Sequence, residues 1–410
     1  MRSTAFVLLV SLAVSLPSQV FCETPRVSQA WFPGWHSKEF TPFNVSWHKY
    51  THMTYAFAIP SSDIKSLHLE KSEQSDLSTF VTAAKANNVK AIVSIGGWTG
   101  SIYWSSAVGS PQNRTTFIKT VTDFATQNKL DGLDFDWEYP NRQGLGCNVI
   151  NPNDTSNFIS FLEELRQHPV GKHLILTAAT SITPYNDATG SPSSDLSRFA
   201  NALDFVALMN YDIWGPWSAT VGPNAPLNDT CVADTAKQQG SAVSAVTAWK
   251  KAGVPIEKML LGLPAYGHSF KVKKEDAFKQ GSSKELAEYP KMDKSVRPAG
   301  DRWDDPAGLV DACGVSNPAG GIYNFWGLVE NGFLGPDGKP KYPSRFDECS
   351  KGAFVYNPDT EIMVSYDSTQ SWAAKGKYIK DTGLAGFAIW EAGGDYKDML
   401  IDSVRKAAGM

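Results

Sequence analysis

At 410 residues the chain is too long for one small domain, and its 42% of hydrophobic residues can bury a sizeable core. Thirty-eight Lys and Arg against 42 Asp and Glu leave a formal net charge of −4, which gives no pull toward nucleic acid or an anionic membrane. The seven His are scattered without ligand-spaced pairs, so neither a metal nor a cofactor is expected.

Taken in order, the chain begins with an address. Arg2 precedes an apolar run over residues 5–16, broken by Pro17, and Val20-Phe21-Cys22 offers small residues where a signal peptidase cuts. A signal peptide over 1–22 is therefore expected, and the mature chain should be soluble, secreted and extracellular. Further on, no run approaches the ~20 apolar residues of a membrane span. Cleavage after Cys22 leaves Cys147, Cys231, Cys313 and Cys349, which allow three pairings. Asn44, Asn113, Asn153 and Asn228 begin Asn-x-Ser/Thr sequons and are candidate glycosylation sites.

Strand and helix then alternate. Residues 28–32 read as the first strand, running into Pro33-Gly34-Trp35, and residues 51–58 as the second, ended by Pro60. Leu77, Phe80, Val81 and Ala84 recur at i, i+3, i+4 and i+7, the stripe of an amphipathic helix. Residues 89–95 are a third, buried strand ending in Gly96-Gly97-Trp98, and Phe117, Val121 and Phe124 mark the next helix. The fourth strand covers 130–140. Phe158, Phe161, Leu162 and Leu165 repeat the helical spacing before a fifth strand at 174–180 and a sixth at 205–212. Ala242, Val246 and Trp249 carry a helix into the seventh strand, 259–266; the eighth is 383–391, and a helix over 399–404 closes the chain.

Such alternation implies parallel pairing through right-handed crossovers. Eight units suggest a closed α/β barrel. The rival is an open, doubly wound sheet, but no Gly-x-Gly-x-x-Gly follows the first strand. The rhythm breaks between Tyr266 and Val364, a stretch rich in Gly, Pro and Lys with two cysteines. It reads as a small α+β insertion between the seventh strand and its helix, with strands at 267–272 and 352–356.

The fourth strand carries the chemistry. Asp131, Asp134, Asp136 and Glu138 alternate with Leu133, Phe135 and Trp137, a period of two that reads as a strand buried on both faces. If the apolar residues face helices, Asp134, Asp136 and Glu138 share the other side at a spacing of about 7 Å. Like charges this close cannot all ionise, so at least one carboxyl should have a raised pKa, as a general acid near neutrality needs. A calcium cluster is the bland alternative, but calcium sites favour Asp/Asn/Gly loops over strands of large apolar residues.

The run Asp131-x-x-Asp134-x-Asp136-x-Glu138-Tyr139-Pro140 resembles the signature of glycoside hydrolase family 18, the chitinase family, built on a (β/α)8 (TIM) barrel. The resemblance implies a barrel over 23–267 and 363–410 with an α+β insertion over 268–362 that walls a substrate groove. Tyr266-Gly267-His268-Ser269-Phe270 resembles the insertion's entrance motif, with His268 where family members often have Arg. Barrel chemistry sits at strand ends, here Trp35, Phe57, Trp98, Asp136 with Glu138, Met209 with Tyr211 and Asp212, Tyr266, and Trp390. Flat rings are what sugar faces stack on. By resemblance Trp390 is the floor beneath the sugar to be cleaved, Trp98 a stacking platform on the leaving-group side, and Asp212 a sugar-contacting acid. Met209 and Phe57 shape the pocket wall.

The resemblance also implies a substrate-assisted, retaining mechanism. Glu138 protonates the glycosidic oxygen while the sugar's own 2-acetamido oxygen attacks the anomeric carbon, giving an oxazolinium ion. Asp136 and Tyr211 hold that group, and Asp134 shares a proton with Asp136. The expected partner is chitin or chitooligosaccharides, met by a monomer. Two rivals are a chitin-binding lectin on the same barrel, against which Glu138 speaks, and an endo-β-N-acetylglucosaminidase acting on N-glycans. On this barrel Cys147 and Cys231 fall in loops at one end and Cys313 and Cys349 in the insertion, so the expected disulfides are Cys147–Cys231 and Cys313–Cys349.

Overall fold

The computed structural model describes residues 26–410, so the expected signal peptide and Cys22 lie outside the described residues. Its strands are β1 (Val27–Pro33), β2 (His52–Pro60), β3 (Leu67–Leu69), β4 (Lys90–Gly96), β5 (Gly132–Asp136), β6 (Ile175–Thr180), β7 (Phe205–Leu208), β8 (Met259–Pro264), β9 (Tyr266–Lys271), β10 (Ile322–Asn324), β11 (Ser344–Phe346), β12 (Ala353–Asn357), β13 (Ile362–Tyr366) and β14 (Gly386–Trp390). One sheet runs β1-β14-β8-β7-β6-β5-β4-β2, closes through β1–β2, and carries β3 as an antiparallel hairpin partner of β2. Every pair within the ring is parallel. This is a (β/α)8 barrel.

Period-two alternation makes the two faces of each strand different. Leu133, Phe135 and Trp137 pack outward with Phe158, Phe161 and Leu162 of the helix Asp154–Gln167 in the main core. The helix Gln74–Ala86 buries Leu77, Phe80, Val81 and Ala84, the stripe its spacing foretells. Inside the barrel Ala179, Ala207 and Ala388 leave room for the larger Trp31, Phe57 and Leu260, and Gln29 hydrogen-bonds to Thr54 at 3.1 Å. That bond joins the first two barrel strands, while Gln29 Oε1 is buried without a partner.

A second, antiparallel sheet in the order β10-β9-β13-β12-β11 lies between β8 and the helix Thr369–Thr382. Two of its strands match the expected positions. The other three are too short, or too close to the resumption of the barrel, to stand out by alternation, and residues 363–366 belong to β13 of this sheet rather than to the barrel.

The disulfides correct the expected pairing. Cys147 is bonded to Cys313 and Cys231 to Cys349. Both bonds tie a barrel loop to the insertion. The loop after β7 runs against the insertion, with Leu227 N donating to Ser350 O at 2.7 Å, which brings Cys231 to Cys349. Adjacency in space, not consecutive position along the chain, decides the pairing. Of the sequon asparagines, Asn44 and Asn153 are exposed and Asn113 and Asn228 half-buried.

Candidate active site

The C-terminal ends of the barrel strands surround a cavity of about 500 Å³ lined by Phe57, Trp98, Asp136, Glu138, Tyr139, Arg142, Met209, Tyr211, Asp212 and Trp390, among others. Regular pairing of β5 stops at Asp136, yet the alternation continues, because Trp137 stays in the helix-facing core while Glu138 enters the cavity. Its backbone is clamped. Glu138 N donates to Ser101 Oγ at 2.9 Å, and Asn148 Nδ2 donates to Glu138 O at 2.9 Å. Beside it Gly96, at φ +112°, lies so close that a Cβ would stand 2.1 Å from the Asp136 carbonyl oxygen; only glycine fits that turn.

The three inward carboxyls sit in different surroundings. Asp134 is fully buried and accepts from Thr177 Oγ1 at 2.6 Å, Ser94 Oγ at 2.7 Å and Trp31 Nε1 at 3.1 Å. These donors occupy both of its oxygens, and the proton-sharing contact expected with Asp136 is not made. Asp136 Oδ1 is buried without a partner. Burial, followed by the charges of Glu138 and Asp134, holds the Asp136 carboxyl well above the usual range. Glu138 is raised to about 7, chiefly by burial; Asp212 pushes in the same direction, while the Tyr139 hydroxyl and Arg142 oppose it. Burial also keeps the Tyr211 hydroxyl neutral, so it stays a proton donor.

Aromatics form the floor. Phe57 and Trp390 stack at 5.6 Å, and Trp35 stacks on Phe57 at 6.0 Å. Trp98 is half exposed. Phe57, Trp98, Met209, Asp212 and Trp390 all line the cavity, whereas Trp35 and Tyr266 stand beside and behind it. Tyr266 acts on Asp212: its hydroxyl donates to Oδ1 at 2.7 Å, and His268 Nε2 approaches the same oxygen at 2.7 Å. His268 thus meets Asp212, with the edge of Trp217 against it at 5.2 Å. Among the described residues, no group of three or more His, Cys, Asp or Glu is placed to hold a metal ion.

Several contributors escape sequence reading. Trp31, Ser94 and Thr177 come from three strands and meet only when the ring closes. Arg142 lies 4.0 Å from the centre of the Tyr139 ring and donates to Thr183 Oγ1 at 2.6 Å. Its place shortly after Glu138 was the only available signal.

Fold and site together define a barrel glycosidase scaffold, with a carboxyl raised toward neutrality at the end of the fourth barrel strand and an aromatic floor beneath it. The chain belongs to the glycosyl hydrolases family 18, whose model matches residues 28–395. It is 55% identical over 402 residues to a chitinase-like effector of Moniliophthora roreri, covering 98% of this chain and 97% of that one. A chitinase from Rhizomucor miehei superposes with a TM-score of 0.83 at 29% identity, over 93% of this chain and 99% of that one. A mutant class V chitinase from Nicotiana tobaccum, solved in complex with NAG4, shares the fold at a TM-score of 0.73 and 24% identity, over 94% and 99%.

Proposed function

We propose that the protein is a secreted chitinase that hydrolyses β-1,4 linkages between N-acetylglucosamine units with retention of configuration. The observation that carries this is Glu138, raised to about 7 inside an aromatic-floored cavity and therefore still protonated in mildly acidic to neutral solution. A glycosidic oxygen needs such a donor. Glu138 gives its proton to the leaving oxygen as the acetamido oxygen of the same sugar closes on the anomeric carbon. In this reading Asp136, whose Oδ1 is buried without a partner, accepts from the acetamido N–H, and the neutral Tyr211 hydroxyl donates to its oxygen. Water activated by the deprotonated Glu138 then opens the ring. An internal nucleophile replaces a bimolecular encounter, which is worth ~7 kcal/mol or more of barrier.

Secretion is supported by the N-terminal apolar run and by two disulfides, which persist in oxidising compartments. The M. roreri relative is named a chitinase-like effector and not a chitinase, which supports keeping a second reading, a chitin-binding lectin on the same barrel. One experiment separates the two. The mature protein is given an N-acetylglucosamine hexamer and its products are resolved by anomer. Early β-anomers that disappear in Glu138→Gln support a retaining chitinase; binding with no products supports the second reading. Cleavage by Glu138→Gln at the wild-type rate would refute the acid assignment.

A further inference from the structure

Between Asp304 and Gly320 the insertion sends out a β-hairpin that meets the rest of the molecule at its two ends. At the base, the Asp304 carboxylate accepts from Gly300 N at 2.8 Å, Gly321 N at 2.9 Å and Ile322 N at 3.0 Å. The arms pair through Gly308 N to Asn317 O at 2.8 Å, Asn317 N to Leu309 O at 2.9 Å and Asp311 N to Val315 O at 2.9 Å. At the tip, Asp311 Oδ1 accepts from Cys313 N and Val315 N, each at 2.9 Å. Cys313 is bonded there to Cys147, with 5.6 Å between the Cα atoms.

Residues 305–310 and 314–318 are exposed throughout. A strand pair lying on a protein surface buries one face. Neither of these stretches carries a buried or half-buried residue, so the hairpin is held chiefly at its two anchors.

The anchors stand on different sides of the barrel mouth. Ile322 pairs with His268 of β9, which follows directly from β8, so the base belongs to the wall raised at the end of β8. Cys147 lies in the loop after β5, the loop that also carries Glu138 and Arg142. Going round the ring, β5 and β8 are separated by β6 and β7 one way and by β4, β2, β1 and β14 the other. The charge of Asp305 is felt by His36, after β1, and by Glu70, after β3. The hairpin therefore leaves its base on the β1–β2 side, where His36 stacks on Trp303 at 4.0 Å next to Trp35. Five exposed aliphatic residues, Val149, Ile150, Leu309, Val310 and Val315, flank the bond.

We propose that the hairpin of residues 305–319, fastened by Cys147–Cys313, is a covalent strap across the groove, so that a polysaccharide must present a free chain end to enter and an internal stretch cannot be laid in from above. This rests on the function proposed above. Opening the strap adds lateral entry and leaves the carboxyls and the aromatic floor in place.

The test is binding, read in the Glu138→Gln background so that the ligand survives. Two ligands are compared: an N-acetylglucosamine octamer with free ends, and the same octamer carrying streptavidin through biotin at both ends. With the strap intact the capped octamer should bind about 20-fold more weakly than the free one, or worse. In Cys147→Ser/Cys313→Ser, and in a second variant with residues 308–317 replaced by Gly-Gly and Cys147→Ser, the two affinities should converge. Circular dichroism melts establish that both variants are folded at the assay temperature. Equal binding of capped and free octamer with the strap intact would overturn the inference, as would failure of both opened variants to recover the capped ligand. If no form bound the free octamer, the polysaccharide reading itself would fall and the strap with it. Tight free-octamer binding by a wild-type protein that does not cleave would remove hydrolysis alone, and the strap comparison would still decide.

Discussion

The Trp31 indole nitrogen donates to Asp134 Oδ2 at 3.1 Å, joining the first barrel strand to the fourth across the barrel interior. Both side chains are buried, so the bond helps to fix the deepest of the three inward carboxyls. Replacing Trp31 by Phe keeps much of the apolar volume and deletes the donor. Losing a hydrogen bond to a buried carboxyl costs roughly 2 kcal/mol. Trp31→Phe should therefore lower unfolding stability by about that much and reduce turnover by roughly tenfold, since Asp134 sits one inward position below Asp136. Denaturant titration with parallel kinetics checks both; an unchanged midpoint would show that Ser94 and Thr177 suffice.

As the general acid proposed above, Glu138 would have to be protonated, and its carboxyl is raised to about 7. The rate, as kcat/KM, should therefore fall as pH rises through about 7. Arg142 favours the charged form of Glu138. In Arg142→Met that opposition is gone, the Glu138 carboxyl should move further up, and the alkaline limb should shift to higher pH while the maximum falls. A limb that stays in place or moves to lower pH would mean that another group sets it. In Glu138→Gln the limb should vanish together with 10²–10⁴-fold of the rate.

His268 and Tyr266 converge on one oxygen of Asp212. The Asp212 side chain is 47% exposed, so without His268 it can swing into solvent. If Asp212 contacts sugar, His268→Leu should raise KM on the hexamer roughly fivefold with a smaller change in kcat, the sign of lost ground-state binding. His268→Gln, which restores a donor, should recover most of it. A loss confined to kcat would place His268 in the chemistry instead.

Much of this was legible in the chain. Alternation along 130–138 and the helical stripe from Leu77 to Ala84 are local patterns that burial enforces, so they could be read directly. What escaped depends on closure of the ring or on contact between barrel and insertion. Trp31 reaches Asp134 only because β1 and β5 share one barrel interior. Cys147 finds Cys313, 166 residues away, only because a hairpin tip is carried to it. No spacing rule encodes such meetings, and the pairing by consecutive position failed for that reason. His268 could be located but not assigned a contact, because its partner Asp212 follows a different strand.

Glu391 yields the last prediction. It follows Trp390 at the end of β14 and is buried; Oε2 accepts from Gly393 N at 3.1 Å, while Oε1 has no partner. Burial raises its carboxyl from 4.5 to about 8. Between these values the unfolded chain has released the proton and the folded one still holds it. Stability should accordingly be greatest below pH 4.5 as far as this group is concerned, and should decline as pH rises toward about 8. A tenfold difference in proton affinity between the folded and unfolded chain is worth ~1.4 kcal/mol, so the full effect is on the order of 5 kcal/mol. Glu391→Gln removes the proton linkage with little change of shape. Its melting temperature should depend less on pH than that of the wild type from pH 5 to 8, and should exceed the wild-type value at the alkaline end. Parallel pH profiles for the two proteins would show that Glu391 is ionised in the fold, with a cation or water supplying the partner its Oε1 lacks.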